Sequence, residues 1–145
     1  NTGVTDKLYQ KMKILCWIMT GPQNLEKKIR RIRDTWAQGC NKALFMSSKE
    51  NKDFSTVGLH TKEDRNQLSW KIVKAFLYAH DHYLEYMDWF MKADDDICIY
   101  ITLDNLKWLL TNYNPDESTY FGKRFKHCRK QDYMTGGAGY VLSKE

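Results

Sequence analysis

Apolar residues along this chain follow two rhythms. Residues 13–20 (KILCWIMT) form an apolar run closed by Gly21-Pro22, the pattern of a buried strand that ends in a turn. Leu25, Ile29, Ile32 and Trp36 then recur at i, i+4, i+7 and i+11, one stripe of a helix that Gly39 ends. Lys42–Ser47 (KALFMS) predicts a second strand and residues 56–59 a short third. Thr61 and Asp64 have the spacing of a capping box before the next helix, with Asp in place of Glu or Gln. Leu68, Ile72, Ala75, Phe76, Ala79 and Tyr83 make that helix's apolar face. Residues 89–93 read as a strand that runs straight into Asp94-Asp95-Asp96. Leu106, Leu109 and Leu110 predict another helix, stopped near Asn114-Pro115. Residues 120–125 and 134–142 read as two last strands, the second entered through Gly136-Gly137. Strands alternating with helices predict βαβ units and an α/β domain with a mostly parallel sheet.

Composition narrows the class. The 145 residues are 42% hydrophobic and 28% charged, which suits one packed core and excludes a disordered or fibrous chain. The start at Asn1 and the helix-start signal Ser143-Lys144-Glu145 suggest a fragment, with residues 1–12 as a linker remnant and 13–145 as the domain. The net charge of +5 is concentrated at Lys27, Lys28, Arg30, Arg31 and Arg33, and again at Lys123, Arg124, Lys126, Arg129 and Lys130. A solvated surface or an anionic ligand accounts for such clusters. Neither cluster has zinc-finger spacing or an RNP-like pattern, so no nucleic-acid partner is expected. Cys16, Cys40, Cys98 and Cys128 include no CxxC, which argues against a zinc knuckle or a thioredoxin-type site.

The candidate chemistry lies in the aspartates. In open α/β sheets, ligands sit outside the carboxyl ends of strands. On an extended backbone Asp94 and Asp96 project to one side, about 6–7 Å apart, and Asp95 to the other. Two such charges repel by roughly 2.5 kcal/mol at an effective dielectric near 20. A divalent cation would convert that repulsion into attraction, and carboxylate oxygens suit Mg²⁺ or Mn²⁺ shared with substrate phosphates. A solvated acidic turn capping the following helix explains the same residues.

Three segments carry a resemblance that bears on this choice: RRIRDTW (30–36), KADDD (92–96) and YMTGGAGYVLS (133–143). Together they resemble β1,3-glycosyltransferases of the GT-A type, matching that family's arginine-rich helix, metal motif and glycine-rich strand. MTGPQNLEK (19–27), LFMSS (44–48), ENKDF (50–54) and LDNLKWLL (103–110) are most similar to the branch that adds galactose to O-linked GalNAc on glycoproteins. The resemblance implies a GT-A Rossmann-like α/β fold, incomplete at its C-terminal side. It also implies a UDP-galactose donor, Mn²⁺ as the ion, inversion at the anomeric carbon and a Golgi type II membrane protein. Asp94 and Asp96 are the implied metal ligands; Met19, Glu63, Asp64, Arg65, Lys71 and Asp94 are the implied donor contacts. The implied partners are a GalNAc-bearing glycoprotein acceptor, a second copy in a homodimer, and a dedicated endoplasmic-reticulum chaperone paralogue. A degenerate, non-catalytic paralogue is the competing reading.

The chain departs from the family pattern in four respects. Asp64 stands where the family has glycine, and residues 97–102 (ICIYIT) form a link about two residues longer than expected. Cys98 and Cys128 are unexpected cysteines. The acidic motif expected to supply the general base, and a later histidine ligand, do not occur in these residues. In an oxidising Golgi lumen disulfides persist. Cys16 lies in the first strand and Cys40 just before the second, so adjacent parallel strands predict a Cys16–Cys40 bridge, with Cys98 and Cys128 unpaired.

Overall fold

A computed structural model describes residues 3, 7, 10–96, 103–125, 133–134 and 137–145. The strands β1 (Ile14–Met19), β2 (Lys42–Ser47), β3 (Thr56–Gly58), β4 (Trp89–Asp94), β5 (Tyr120–Gly122) and β8 (Tyr140–Ser143) form one sheet, in the order β3-β2-β1-β4-β8-β5. β6 (Arg124–Phe125) and β7 (Tyr133–Met134) form a separate antiparallel ribbon. The pairings β3-β2, β2-β1 and β1-β4 are parallel, whereas β8 runs antiparallel to both β4 and β5. The sheet is therefore mixed: the expected parallel pairing holds for β3-β2-β1-β4, and β8 and β5 add antiparallel pairings.

The unbroken apolar run of β1 follows from burial on two faces. Ile14, Cys16 and Ile18 enter one core with Leu25, Ile29, Ile32, Trp89, Leu103 and Leu110. Leu15, Trp17 and Met19 enter a second core with Leu44, Met46, Ala75, Ala79 and Phe90. Met12 joins the first core. The helix predicted after Gly21 is wound in pieces: a 3-10 turn (Pro22–Asn24), a π turn (Leu25–Ile29), α1 (Arg30–Asp34) and a second 3-10 turn (Trp36–Gly39). Its apolar stripe survives these changes, with Leu25, Ile29 and Ile32 buried and Trp36 packed against the same core.

Three local expectations need correction. Thr61 does not form a capping box. Asp64, in extended geometry, is itself the cap and accepts a hydrogen bond from the Asn66 amide at 3.1 Å, ahead of a 3-10 turn (Arg65–Gln67) that leads into α2 (Leu68–Tyr83). The inward face of α2 carries Lys71, Ala75 and Ala79, while Leu68 and Phe76 are about half exposed. Small side chains at i and i+4 let the helix approach the sheet, which pushes its large residues to the flanks. Finally, the strand expected over 134–142 is divided between β7 and β8. Gly139, at φ 78°, takes the backbone out of extended geometry just before β8.

The third helix, α3 (Leu103–Leu110), buries Leu103, Lys107 and Leu110 and leaves Leu109 about half exposed. Cys16 and Cys40 are joined in a disulfide with Cα atoms 6.0 Å apart, as expected from their positions beside the β1-β2 pairing. Cys98 and Cys128 lie outside the described residues. Among the described residues no helix is long and apolar enough to cross a membrane.

Candidate functional site

β1 connects toward β2 and β3 on one side, and β4 lies on its other side. The strand order therefore reverses between β1 and β4, and the crevice outside their carboxyl ends is the usual ligand position in such a sheet. Met19 and Asp94, the last residues of the two strands, are register partners. A cavity of about 490 Å³ opens beside them, bordered by Met19, Thr20, Asn24, Glu63, Lys71, Lys92, Asp94, Asp95, Asp96 and Gly137 among others.

The three aspartates have separate environments. Asp94 ends β4 and accepts a 2.6 Å bond from the buried Lys92 ammonium, with a third of its side chain still exposed. Asp96 is exposed on the turn that follows. Asp95 is nearly buried, and its carboxylate accepts from Thr20 Oγ1 at 2.8 Å, Asn24 Nδ2 at 2.8 Å and Lys28 Nζ at 3.1 Å. Asp95 thus faces partners from the segment after β1; all three aspartates border the cavity, with Asp94 partly and Asp96 more fully exposed. The chain turns after Asp94, so strand alternation alone does not place Asp96.

On the opposite wall, Lys71 projects from α2 into the end of the sheet. Its ammonium donates to the Thr20 carbonyl and to Glu63 Oε1, the latter at 3.0 Å. Burial of Glu63 raises its carboxyl pKa, but Ser48 and the Lys71 ammonium outweigh that and hold it below its ordinary value. The structure thus brings Met19, Glu63, Lys71, Asp94 and Asp96 to one cavity. Asp64 and Arg65 do not border it: both are exposed, and the Asp64 carboxylate occupies the Asn66 amide at the start of the helix. Gly137 borders the cavity, whereas Gly136 lies outside the described residues.

Sequence reasoning missed Thr20, Asn24, Lys28 and Lys92 as site neighbours. Lys92 carried a signal, as a charged residue inside an apolar strand two positions before Asp94. Thr20, Asn24 and Lys28 carried none, because their convergence on Asp95 spans between 67 and 75 positions.

The donor set suits a hard divalent cation. Two carboxylates on partly or fully exposed residues, Asp94 and Asp96, fit an ion of the Mg²⁺ or Mn²⁺ kind, which usually takes one or two protein carboxylates and completes its shell with phosphates and water. Among the described residues no cluster of three or more His, Cys, Asp or Glu side chains forms an all-protein metal cage.

The Fringe-like family model matches residues 9–145. The chain is 52% identical to glycoprotein-N-acetylgalactosamine 3-beta-galactosyltransferase 1 of Xenopus laevis, over all of this chain and 40% of that protein. It is also similar to chondroitin sulfate synthase 3 of Homo sapiens at 27% identity and of Mus musculus at 26%. Each of those matches covers 88% of this chain and 16% of the relative. The chain spans well under half the length of these curated relatives. The match along nearly its whole length, on a sheet of this topology, shows that the chain belongs to the Fringe-like family and has its GT-A-type α/β fold.

Proposed function

We propose that this chain is the donor-nucleotide part of a β-1,3-galactosyltransferase that transfers galactose from UDP-galactose to O-linked GalNAc on glycoproteins, with inversion. The observation that carries the reading is 52% identity, over the whole of this chain, to a protein named as a glycoprotein-N-acetylgalactosamine 3-beta-galactosyltransferase; the donor and the inversion are inferred. The cavity supports it chemically, because carboxylates, a lysine and an open strand-end crevice are what a metal-bound sugar nucleotide requires.

In this reading Asp94 and Asp96 hold Mn²⁺, and Met19, Glu63 and Lys71 line the donor site, while Asp64 and Arg65, which do not border the cavity, take no part in it. A bound ion would supply positive charge to the diphosphate as it leaves the sugar. Lys71 fixes the Thr20 carbonyl, and so the end of β1, against the wall that carries Glu63. Lys92 holds the Asp94 carboxylate in one orientation from inside the sheet. The remaining parts of the reading are a GalNAc-glycoprotein acceptor, a homodimeric parent protein, a chaperone paralogue in the endoplasmic reticulum and a Golgi type II location. The general base is assigned to none of these 145 residues, so the chain alone is expected to bind donor without transferring galactose.

Calorimetric titration with UDP tests the reading. Binding should require Mn²⁺, and Asp94→Asn or Asp96→Asn should weaken it at least tenfold, each removing one charged ligand. Each variant must first match the parent by circular dichroism. Equal UDP affinity with and without the ion would sink the metal assignment.

A further inference from the structure

The sequence leaves Asp95 without a task, yet it is the most enclosed of the three aspartates. Its partners come from three successive pieces of chain: Thr20 just after β1, Asn24 in the first 3-10 turn and Lys28 in the π turn. Thr20 and Asn24 also border the cavity, and the Thr20 carbonyl receives the Lys71 ammonium. Lys28 Nζ, Asp95, Thr20 and Lys71 therefore form one continuous chain of polar contacts. It runs from outside the cavity, past the acidic turn, to the opposite wall.

We propose that Asp95 is a positioning residue, which clamps the turn bearing Asp94 and Asp96 onto the segment after β1 and so presets the spacing of the two metal-binding carboxylates. This inference rests on the donor-binding reading above. A turn joined only to the end of β4 would be free to splay its carboxylates, and collecting them again on binding costs affinity. Three donors on one carboxylate, one of them charged, restrict that freedom without using either ligand. Groups that orient metal ligands in this way change metal affinity by about 10–100-fold when lost.

Lys28 makes the proposal separable from direct ligation, because it touches Asp95 but does not border the cavity. UDP is titrated calorimetrically at a series of Mn²⁺ concentrations into the unmutated chain, Lys28→Met, Asp95→Asn and the double variant. Melting temperatures are recorded for each, and all titrations are run well below them. Lys28→Met should raise the apparent Mn²⁺ constant for UDP binding about tenfold, and Asp95→Asn at least as much. The double variant should be no worse than Asp95→Asn, since both changes break the same contact. If melting temperatures fall while the Mn²⁺ constants stay unchanged, the clamp is merely structural and the proposal is wrong. An effect at Asp95 with none at Lys28 would make Asp95 a ligand instead, and would equally overturn it. Either result leaves the donor reading intact. Loss of ion dependence in the unmutated chain would remove that reading and this inference together. Should Asp95→Asn fail to fold, Lys28→Met, altered at a partly exposed side chain, carries the test alone.

Discussion

The Cys16–Cys40 bridge ties the middle of β1 to the entrance of β2 and encloses the whole irregular helical segment between them. Its removal is expected to lower stability chiefly by freeing the unfolded chain. For a sequence separation of 24, loop-closure entropy corresponds to about 3.4 kcal/mol at 25 °C. With the usual unfolding entropy per residue, a chain of 145 residues should then melt about 11 °C lower. Both cysteines are buried, so Cys16→Ala/Cys40→Ala also loses packed atoms and should fall somewhat further than the reduced parent. Thermal unfolding followed by circular dichroism, on oxidised parent, reduced parent and double variant, separates the two contributions. A drop of less than about 3 °C on reduction would refute the loop-closure account. Peptide mapping without reduction that recovers both residues as free thiols would refute the bond itself.

Three further outcomes are expected. Lys71→Met removes a charged donor from the Thr20 carbonyl and from Glu63, and should weaken Mn²⁺-dependent UDP binding by roughly tenfold or more; unchanged affinity by calorimetry would take Lys71 out of the donor site. Glu63 has a folded pKa below its ordinary 4.5, so its stabilisation is present above that value and is lost as pH falls through the lower one. The stability difference between parent and Glu63→Gln should accordingly shrink from about pH 6 toward pH 3 in denaturant titrations. Burial pushes the Lys107 ammonium down to about 8, although Asp104 pulls it the other way. The unfolded chain binds the extra proton between about pH 8 and the ordinary 10.5, so stability from this group rises with pH over that window. Lys107→Met should flatten the rise, and identical pH profiles for parent and variant would exclude it.

How much of this was legible in advance depended on the range of the interactions. The apolar run before Gly21-Pro22, the stripe from Leu25 to Trp36, the strand KALFMS and the aspartates after residues 89–93 are local patterns. Each declared its element because period and turn chemistry act over a few residues. The family resemblance likewise pointed to Asp94, Asp96, Met19, Glu63 and Lys71, and these meet at one cavity. That β1 is covered on both faces could also be expected from its unbroken apolar character.

Tertiary structure decided the remainder. The antiparallel β8 beside β4 depends on pairing across about 50 residues, and no local period encodes strand direction. α2 buried Ala75 and Ala79, kept Ile72 and Tyr83 packed against the same core, and left Leu68 and Phe76 about half exposed, because the distance between helix and sheet selects small side chains at its centre and hydrophobicity alone does not report that distance. Asp64 became a helix cap through its backbone geometry, which the spacing from Thr61 misrepresented. Asp95 shows the limit most clearly: strand alternation turns it away from Asp94 and Asp96 but names no partner for it. Only the approach of Thr20, Asn24 and Lys28 makes the middle one an enclosed anchor, while its neighbours stay accessible to a ligand. A charge acquires its role from the groups folding brings to it, and here those groups lie far away along the chain.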